Sequence, residues 1–331
     1  MLLAGDIGAT KSNLAIYDRE AGFRAPLFKS TLTSADFPSL ESLIRSFLAG
    51  VGVTVERACL AVAGPVIDDR ATITNLGWEI TKDQLRTALG LSFLALINDL
   101  EAIGQGIALL CREELFTLHQ GQPVPYGVRT LIAPGTGLGE AFLLWDGHRY
   151  CTHPSEGGHC DFAPTDDLQI GLLQYLQRDH DHVSAELVCS GLGIPNIYAY
   201  LRDTGFASEP PALREQLAAA EDATPVIVQH GLDLQPQYPL CVATVRTFVS
   251  ILGAEAGNQA LKALATGGVF LGGGIPPRLL AALQENGRFL KAFQSKGRLS
   301  GLMRRLPVYV ILNPDVGLLG AAAEGWERKD D

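Results

Sequence analysis

Two glycine-bearing turns carry the residues best suited to binding phosphate. GDIGATK, Gly5 to Lys11, lies between short apolar runs at residues 2–7 and 12–17, the pattern of a β-hairpin. Small residues in such a turn let successive backbone N–H groups face a phosphate, while Thr10 and Lys11 add a hydroxyl and a cation. Asp6, at the end of the first strand, is placed to hold a hydrated Mg2+. GTGLGE, Gly135 to Glu140, is a second turn of the same design, and Thr136 and Gly137 would reach a phosphate from the opposite side. Each turn joins strand to strand, so neither is a P-loop nor the strand–GxGxxG–helix of a dinucleotide fold. An ordinary hairpin turn uses the same residues, so each motif alone leaves both readings open.

Three further groups could carry polar chemistry. Asn98 and Asp99 end an apolar strand and open a helix, where ligands of α/β sheets bind. Asp99 would otherwise serve only to cap that helix. In SEGGHCD, Ser155 to Asp161, Glu156 and His159 stand three apart around two glycines and can converge on one small polar ligand, or belong to a plain surface loop. Cys160 beside them does not complete a metal set. Glu186 falls in HVSAELV, near an expected helix start, where an acidic capping residue is equally at home. In GGVFLGGGI, a buried strand runs into Gly272, Gly273 and Gly274. That suits either the close approach of an adenine or ribose or a tight helix–strand crossing.

The elements that must hold these groups alternate. After the first hairpin come a strand near 23–32 and a helix from Pro38, with Leu40, Leu43, Ile44, Phe47 and Leu48 on one face and Gly50 as its stop. A strand at 58–63 follows, then a helix from Thr81 to Gly90 with Gln84 completing a capping box, and a strand at 93–97 leading into a helix at Asp99. The order recurs: strands at 129–134, 140–145 and 148–152, a helix-rich stretch, a strand at 269–271 before a helix near Pro276, a strand at 308–312 and a helix from Val316. Two halves opening on a hairpin imply a duplicated α/β unit with a cleft between the copies. Residues 204–238, rich in prolines and charges, read as an insertion or flexible loops.

At 331 residues the chain is long enough to bury roughly three quarters of its unfolded surface. With 47% hydrophobic and 19% charged residues it is globular, neither disordered nor fibrous. A net charge of -10 argues against nucleic acid or an anionic membrane as partner. The six cysteines show no CxxC pair and no zinc spacing, which fits reduced, mostly buried thiols. The opening MLLAGDIG lacks a basic n-region, against a signal peptide, and no uncharged apolar stretch suggests a membrane span; a cytoplasmic location is expected.

Taken together and in order, GDIGATK, INDLEA, APGTGLG, SEGGHCDF, LGGGI and VGLLGAA resemble the bacterial glucokinases, of the hexokinase branch of the actin-like ATPase superfamily. The resemblance runs from Gly5 to Ala323. It implies the actin-like, ribonuclease H-like fold, with a smaller α/β domain of residues 1–109 and 313–331 and a larger α+β domain of residues 110–312. It implies transfer of a phosphoryl group from ATP, with Mg2+, to D-glucose. By the same resemblance, Gly5, Asp6, Ile7, Gly8, Ala9, Thr10 and Lys11, with Thr136 and Gly137, are the phosphate motifs. Gly272, Gly273 and Gly274 are the adenosine motif. Asn98, Asp99, Glu156, His159 and Glu186 bind sugar, with Asp99 as base, and Asn75 in PVIDDRATITNLGW lies near it. A homodimer is implied as well. Ala9 stands where the family has glycine, so the turn needs remodelling if that position requires a positive φ. Lys11 is closer to the DIGGTK opening of the related zinc-bearing sugar kinases, but with only Cys160 after the Glu-Gly-Gly-His stretch the chain is placed in the zinc-free branch. A kinase for fructose, mannose or an N-acetylated sugar, or a non-catalytic sugar sensor, are the alternatives, and ADP or polyphosphate remain possible donors.

Overall fold

The computed structural model describes residues 1–233 and 237–328. It divides into two compact units. The first comprises Met1–Arg112, Asp146–Pro154 and the chain from Asn313; the second comprises Glu113–Trp145 and Ser155–Leu312.

In the first unit, β1 (Leu2–Ile7), β2 (Lys11–Tyr17) and β3 (Phe28–Thr33) form an antiparallel meander. Only the second half of the stretch expected as the third strand is extended. Helix α1 (Leu40–Val51) buries Leu40, Leu43, Ile44 and Phe47, as their spacing requires, and Ser39 and Ser42 close a capping box at its start. It ends at Gly52, whose φ of 66° is the left-handed cap; Gly50 lies inside the last turn and stops nothing. Strand β4 (Arg57–Val62) runs parallel to β1. Residues 66–81 hold a small antiparallel sheet of β5 (Val66–Ile67), β6 (Arg70–Ile73) and β7 (Trp78–Thr81), which periodicity had not revealed. Helix α2 (Lys82–Leu89) follows. Thr81 is its N-cap but makes no side-chain cap bond, so the expected capping box does not form. Strand β8 (Phe93–Asn98) is parallel to β4 and leads into α3 (Asp99–Ile107). The sheet order is β3-β2-β1-β4-β8. Leu3, Ile7, Leu14 and Leu60 pack with the α1 side chains on one core. Leu2, Ala4, Ala61 and Ala95 join a second.

The second unit repeats the plan. Strand β9 (Leu115–His119) lies on its sheet edge, and the hairpin of β10 (Arg129–Pro134) and β11 (Leu138–Trp145) pairs Pro134 with Leu138 and Ile132 with Glu140. Strand β12 (Tyr150–Ser155) comes next in the chain, all but its last residue belonging to the first unit. Helices α4 (Asp167–Leu176) and α5 (Gly193–Asp203) precede α6 (Pro211–Ala219) and α7 (Ala223–Gly231), so much of the stretch expected as loops is helical. Pro210 and Pro211 mark a helix start here, not a linker. Part of that stretch, residues 234–236, lies outside the described residues. Helix α8 (Pro239–Ala263) is long and apolar enough to cross a membrane, yet it is mostly buried, with Phe248, Val249 and Leu252 in the unit's core. Strand β13 (Gly268–Leu271), helices α9 (Leu280–Gln284), α10 (Arg288–Gln294) and α11 (Ser300–Met303), and strand β14 (Val308–Ile311) complete it. The helix after β13 thus begins at Leu280, not at Pro276. Within this unit the strands run β11-β10-β13-β14-β9, with β13 parallel to β10 and to β14.

Helix α12 (Val316–Glu327) returns to the first unit, with Leu318, Ala321 and Ala322 in the core of its sheet. Residues 146–154 also belong there, which breaks the continuous 110–312 segment expected for the larger domain. Thr152 fills the space beside Gly104, where a side chain would collide, and Arg149 pairs with Glu324 at 3.3 Å and Glu327 at 3.0 Å. All six cysteines are free, and only Cys59, Cys189 and Cys241 are buried.

Candidate active site

Each unit carries its own cluster of the residues singled out from sequence. In the first unit, the turn from Gly8 to Lys11 closes with Gly8 N–H donating to the Lys11 carbonyl at 3.1 Å. A Cβ on Gly8 would stand 2.9 Å from that same oxygen, so glycine is needed there for room. Ala9 is not at positive φ, and the turn accepts it without remodelling. Thr10 and Lys11 are exposed. The turn is braced from another element: Ser34 Oγ donates to the Gly8 carbonyl at 2.7 Å, Ser34 N–H to the Thr10 carbonyl at 3.0 Å, and Ser12 Oγ lies 2.9 Å from Ser34 Oγ. Both serines are fully buried.

Behind this turn stand two carboxylates. Asp6 ends near the tip of β1, with Gly317 of α12 leaving it space; a Cβ there would sit 3.6 Å from Asp6 Cγ. Asn13 Nδ2 approaches Asp6 at 3.5 Å and is oriented by Thr31, whose hydroxyl donates to Asn13 Oδ1 at 2.7 Å. Burial raises the Asp6 carboxyl above its ordinary range, Asn13 pulls it down, and Asp315 pushes it up again. Asp99 is the first residue of α3, and burial, then the Asp6 charge, lift it to about 6. Asn98, not Asp99, is the N-cap. Its Oδ1 accepts from Leu100 N at 2.9 Å and its Nδ2 donates to the Gly64 carbonyl at 2.8 Å. The amide expected to be free for a hydroxyl is therefore partly committed, and it ties α3 to the segment that opens the small sheet. Asn75 is exposed in the turn between β6 and β7.

The second unit gathers the remaining candidates. Gly135 N–H donates to the Gly137 carbonyl at 2.9 Å, and Gly191 N–H grips the Gly135 carbonyl at 2.8 Å. Glu186 Oε2 accepts from Leu138 N at 2.8 Å, and its carboxylate occupies the space a Gly137 side chain would need. Glu186 lies in a turn between Val183 and Ser190, well before α5, so it caps no helix. Its N–H donates to the Gly158 carbonyl at 2.9 Å, and Ala185 N–H to the Cys160 carbonyl at 2.8 Å, which lays its segment alongside the Ser155–Cys160 loop. In that loop His159 Nε2 and Glu156 Oε2 are 3.8 Å apart, both side chains exposed. Sequence alone had no means of bringing Glu186 to Glu156 and His159; the backbone pairing does so. Gly273, at φ 75°, presses on Pro134, a Cβ there falling 2.6 Å from its carbonyl oxygen, whereas Gly274 is open on its side-chain face. What presses on Gly273 is the end of the neighbouring strand β10, not a crossing helix, and Gly274 meets nothing on its side-chain face. Among the described residues no group of three or more His, Cys, Asp or Glu is arranged to hold a metal.

Sequence reading missed Ser12, Asn13, Ser34 and Gly191. Ser34 acts on the turn from 26 positions away with no motif around it. The β2–β3 pairing that carries it there was the one available signal.

A family model described as glucokinase matches residues 3–326. The chain is 41% identical to a glucokinase of Nostoc punctiforme, over 97% of this chain and 98% of that one. It is 37% identical to a glucokinase of Pectobacterium atrosepticum, over 97% and 96%. Among solved structures, a glucokinase from an Antarctic psychrotroph superimposes with a TM-score of 0.80 at 32% identity, over 99% of each chain. A glucokinase from Balamuthia mandrillaris in complex with glucose shares the fold with a TM-score of 0.82 at 20% identity, over 98% of this chain and 93% of that one. The fold is that of the actin-like ATPases.

Proposed function

We propose a reaction for this chain, which belongs to the glucokinase family: the γ-phosphoryl group of ATP passes to the 6-hydroxyl of D-glucose, giving glucose 6-phosphate and ADP. It is an ATP-dependent hexose kinase. The observation that carries the mechanism is Asp99, a half-buried residue at the start of α3 whose carboxyl is raised to about 6 by desolvation and by Asp6. Such a group is ionised at neutral pH yet remains basic enough to take the hydroxyl proton as the bond to phosphorus forms. Phosphoryl transfer otherwise needs alignment and charge neutralisation.

With the Gly8 and Gly135 N–H groups closing their own turns, the backbone N–H groups of Ala9 and Thr10 and of Thr136 and Gly137, with the Thr10, Lys11 and Thr136 side chains, would hold the phosphates, and Gly274 would leave room for the adenosine. Asp6 suits a hydrated Mg2+, because carboxylate oxygen is the donor this cation prefers and a cation would relieve the Asp6–Asp99 repulsion. When bound, it would supply neutralising charge for the phosphoryl group. Asn98, Glu156, His159 and Glu186 would bind the other sugar hydroxyls, and Asn75 would lie at the edge of that site. A site fitted to one set of hydroxyls rejects epimers by leaving its own groups unpaired. A homodimer in the cytoplasm is part of this proposal, and sedimentation velocity measures the oligomeric state.

A coupled assay of ADP release tests the reaction, run with glucose, fructose, mannose and N-acetylglucosamine and with ATP, ADP or polyphosphate as donor. Turnover with glucose and ATP above every other pair is expected. No turnover with any pair would overturn the kinase reading, and preference for another sugar would move the substrate.

A further inference from the structure

Glu140 closes the GTGLGE motif but has no part in the phosphate turn. It sits on β11 opposite Ile132, only 1% exposed, and its Oε1 is buried without a hydrogen-bond partner. A buried carboxyl left unsatisfied costs stability, so its presence calls for a reason. Burial first, then Glu255 of α8, raises it to about 7, against the pull of Lys262 on the same helix.

The reason lies in what rests on it. A side chain on Gly157 would overlap Glu140 Oε2, and one on Gly158 would overlap the Leu138 carbonyl. Ser155 Oγ approaches the Glu140 carbonyl at 3.4 Å and accepts from Gly157 N at 3.2 Å. The loop from Ser155 to His159 therefore lies directly on β11 between residues 138 and 140, with the Glu140 carboxyl as its floor. The two glycines between Glu156 and His159 are required by this contact.

We propose that the Glu140 carboxyl is a positioning group for sugar use: it sets the seat of Gly157 and thereby the placement of Glu156 and His159, without touching the sugar. This rests on the reading of Glu156 and His159 as sugar-binding residues. A neutral carboxyl fits beneath the loop beside Glu255. An ionised one is repelled by Glu255, drawn to Lys262 and in need of donors that only a displaced loop or entering water supplies. The other titratable groups on the elements packed here are Glu156 and His159, which are exposed, Glu186, bound to Leu138 N, and the buried Cys189, whose thiol is pushed well up by burial and then by Glu255 and Glu140, so that it stays neutral.

The test is steady-state kinetics of the full chain carrying Glu140→Ala or Glu140→Gln. Glu140→Ala removes the floor and is expected to raise the glucose KM about tenfold, with kcat within about threefold and the ATP KM unchanged. Glu140→Gln keeps the shape and removes the charge. Its glucose KM should be flat between about pH 6.5 and 8.5, where the wild-type value climbs as Glu140 ionises. An unchanged glucose KM in Glu140→Ala, or equal damage to both substrates and kcat, overturns the proposal. If Glu140→Ala does not fold, the Gln variant decides, and a pH profile parallel to wild type overturns it. Glu156→Ala and His159→Ala run alongside. If neither moves the glucose KM, the sugar-loop reading itself has failed; if they do and Glu140→Ala does not, only the role of Glu140 has.

Discussion

The hairpin turns at Gly8–Lys11 and Gly135–Gly137 serve the same position in two copies of one topology, yet they are held by different chemistry. The first is gripped by buried hydroxyls, Ser34 on the Gly8 carbonyl and Ser12 on Ser34. The second is gripped by a carboxylate, Glu186 on Leu138 N, and by the Gly191 N–H. A neutral brace made from a neighbouring strand's end concerns its own turn alone. A charged brace whose backbone also pairs with the Glu156–His159 loop would, on the proposed site assignment, make one residue answerable to both substrates. Duplication thus fixed where the turns lie, not how independently each works.

Breaking the acid that belongs to the hydroxyl-braced unit should have the largest effect. Asp99→Asn keeps hydrogen bonding but not proton acceptance, and turnover should fall by about a hundredfold or more while glucose affinity by calorimetry stays within about tenfold. Retention of a tenth of wild-type turnover would remove Asp99 from the role of base. The same assignment fixes a pH dependence. Because Asp99 must be ionised and is raised to about 6 without a cation on Asp6, kcat should climb with pH at a midpoint no higher than about 6, lowered as Mg2+ relieves the Asp6 repulsion, and then level off. A profile flat from about pH 4 to 7 counts against it.

The contrast between the braces sharpens at Glu186. Glu186→Ala leaves Leu138 N unpaired, a loss of about 1–3 kcal/mol, and should raise the KM of both ATP and glucose roughly tenfold or more. Glu156→Ala should raise that of glucose alone. If Glu186→Ala spares ATP, the carboxylate is not a working brace of the second turn. Ser34→Ala should act more weakly, about 1 kcal/mol, raising the ATP KM several-fold with the glucose KM unmoved. Equal changes in both would show that the two braces do not differ in reach.

The last effect is on stability rather than on kinetics. Glu140 has a folded value of about 7 against an ordinary 4.5, so folding favours its protonated form. Below the ordinary value nothing is lost; as pH rises toward about 7 the folded state is progressively penalised, and above it the penalty is complete. The melting temperature of Glu140→Gln should therefore gain on wild type as pH rises from about 5 to 8. A constant difference over that range would mean that Glu140 does not titrate as described.

What could be read in the sequence was whatever is local. Both hairpins show as glycine turns between apolar runs, and the β8–Asp99 junction as an apolar strand meeting a cap. Helix α1 shows as an apolar face of Leu40, Leu43, Ile44, Phe47 and Leu48, of which all but the half-buried Leu48 are buried. Boundaries set by backbone geometry escaped: Gly52 rather than Gly50 takes the left-handed cap, because a glycine tolerates a helix interior and only conformation tells the two apart. The small sheet at 66–81 is too short for periodicity to register, and α6 and α7 hide behind prolines and charges that mark helix starts as readily as loops. Least legible were contacts distant in sequence. Glu186 reaches its partners only through the pairing of 158–162 with 183–186, and Ser34 through the strand before it.

Helix α8 has a consequence that precedes any catalysis. Its residues 239–263 form the one helix, among those described, that would be at home in a lipid bilayer, and only burial in the second unit removes it from water. The strands on the same core, β10 near residue 130 and β14 near 310, lie on either side of it in the chain. During synthesis α8 emerges after β10 but before β13 and β14, so its apolar surface stays incompletely covered until the ribosome has added some fifty further residues. Nascent chains stalled in that interval should be the ones that chaperones hold and proteases cut.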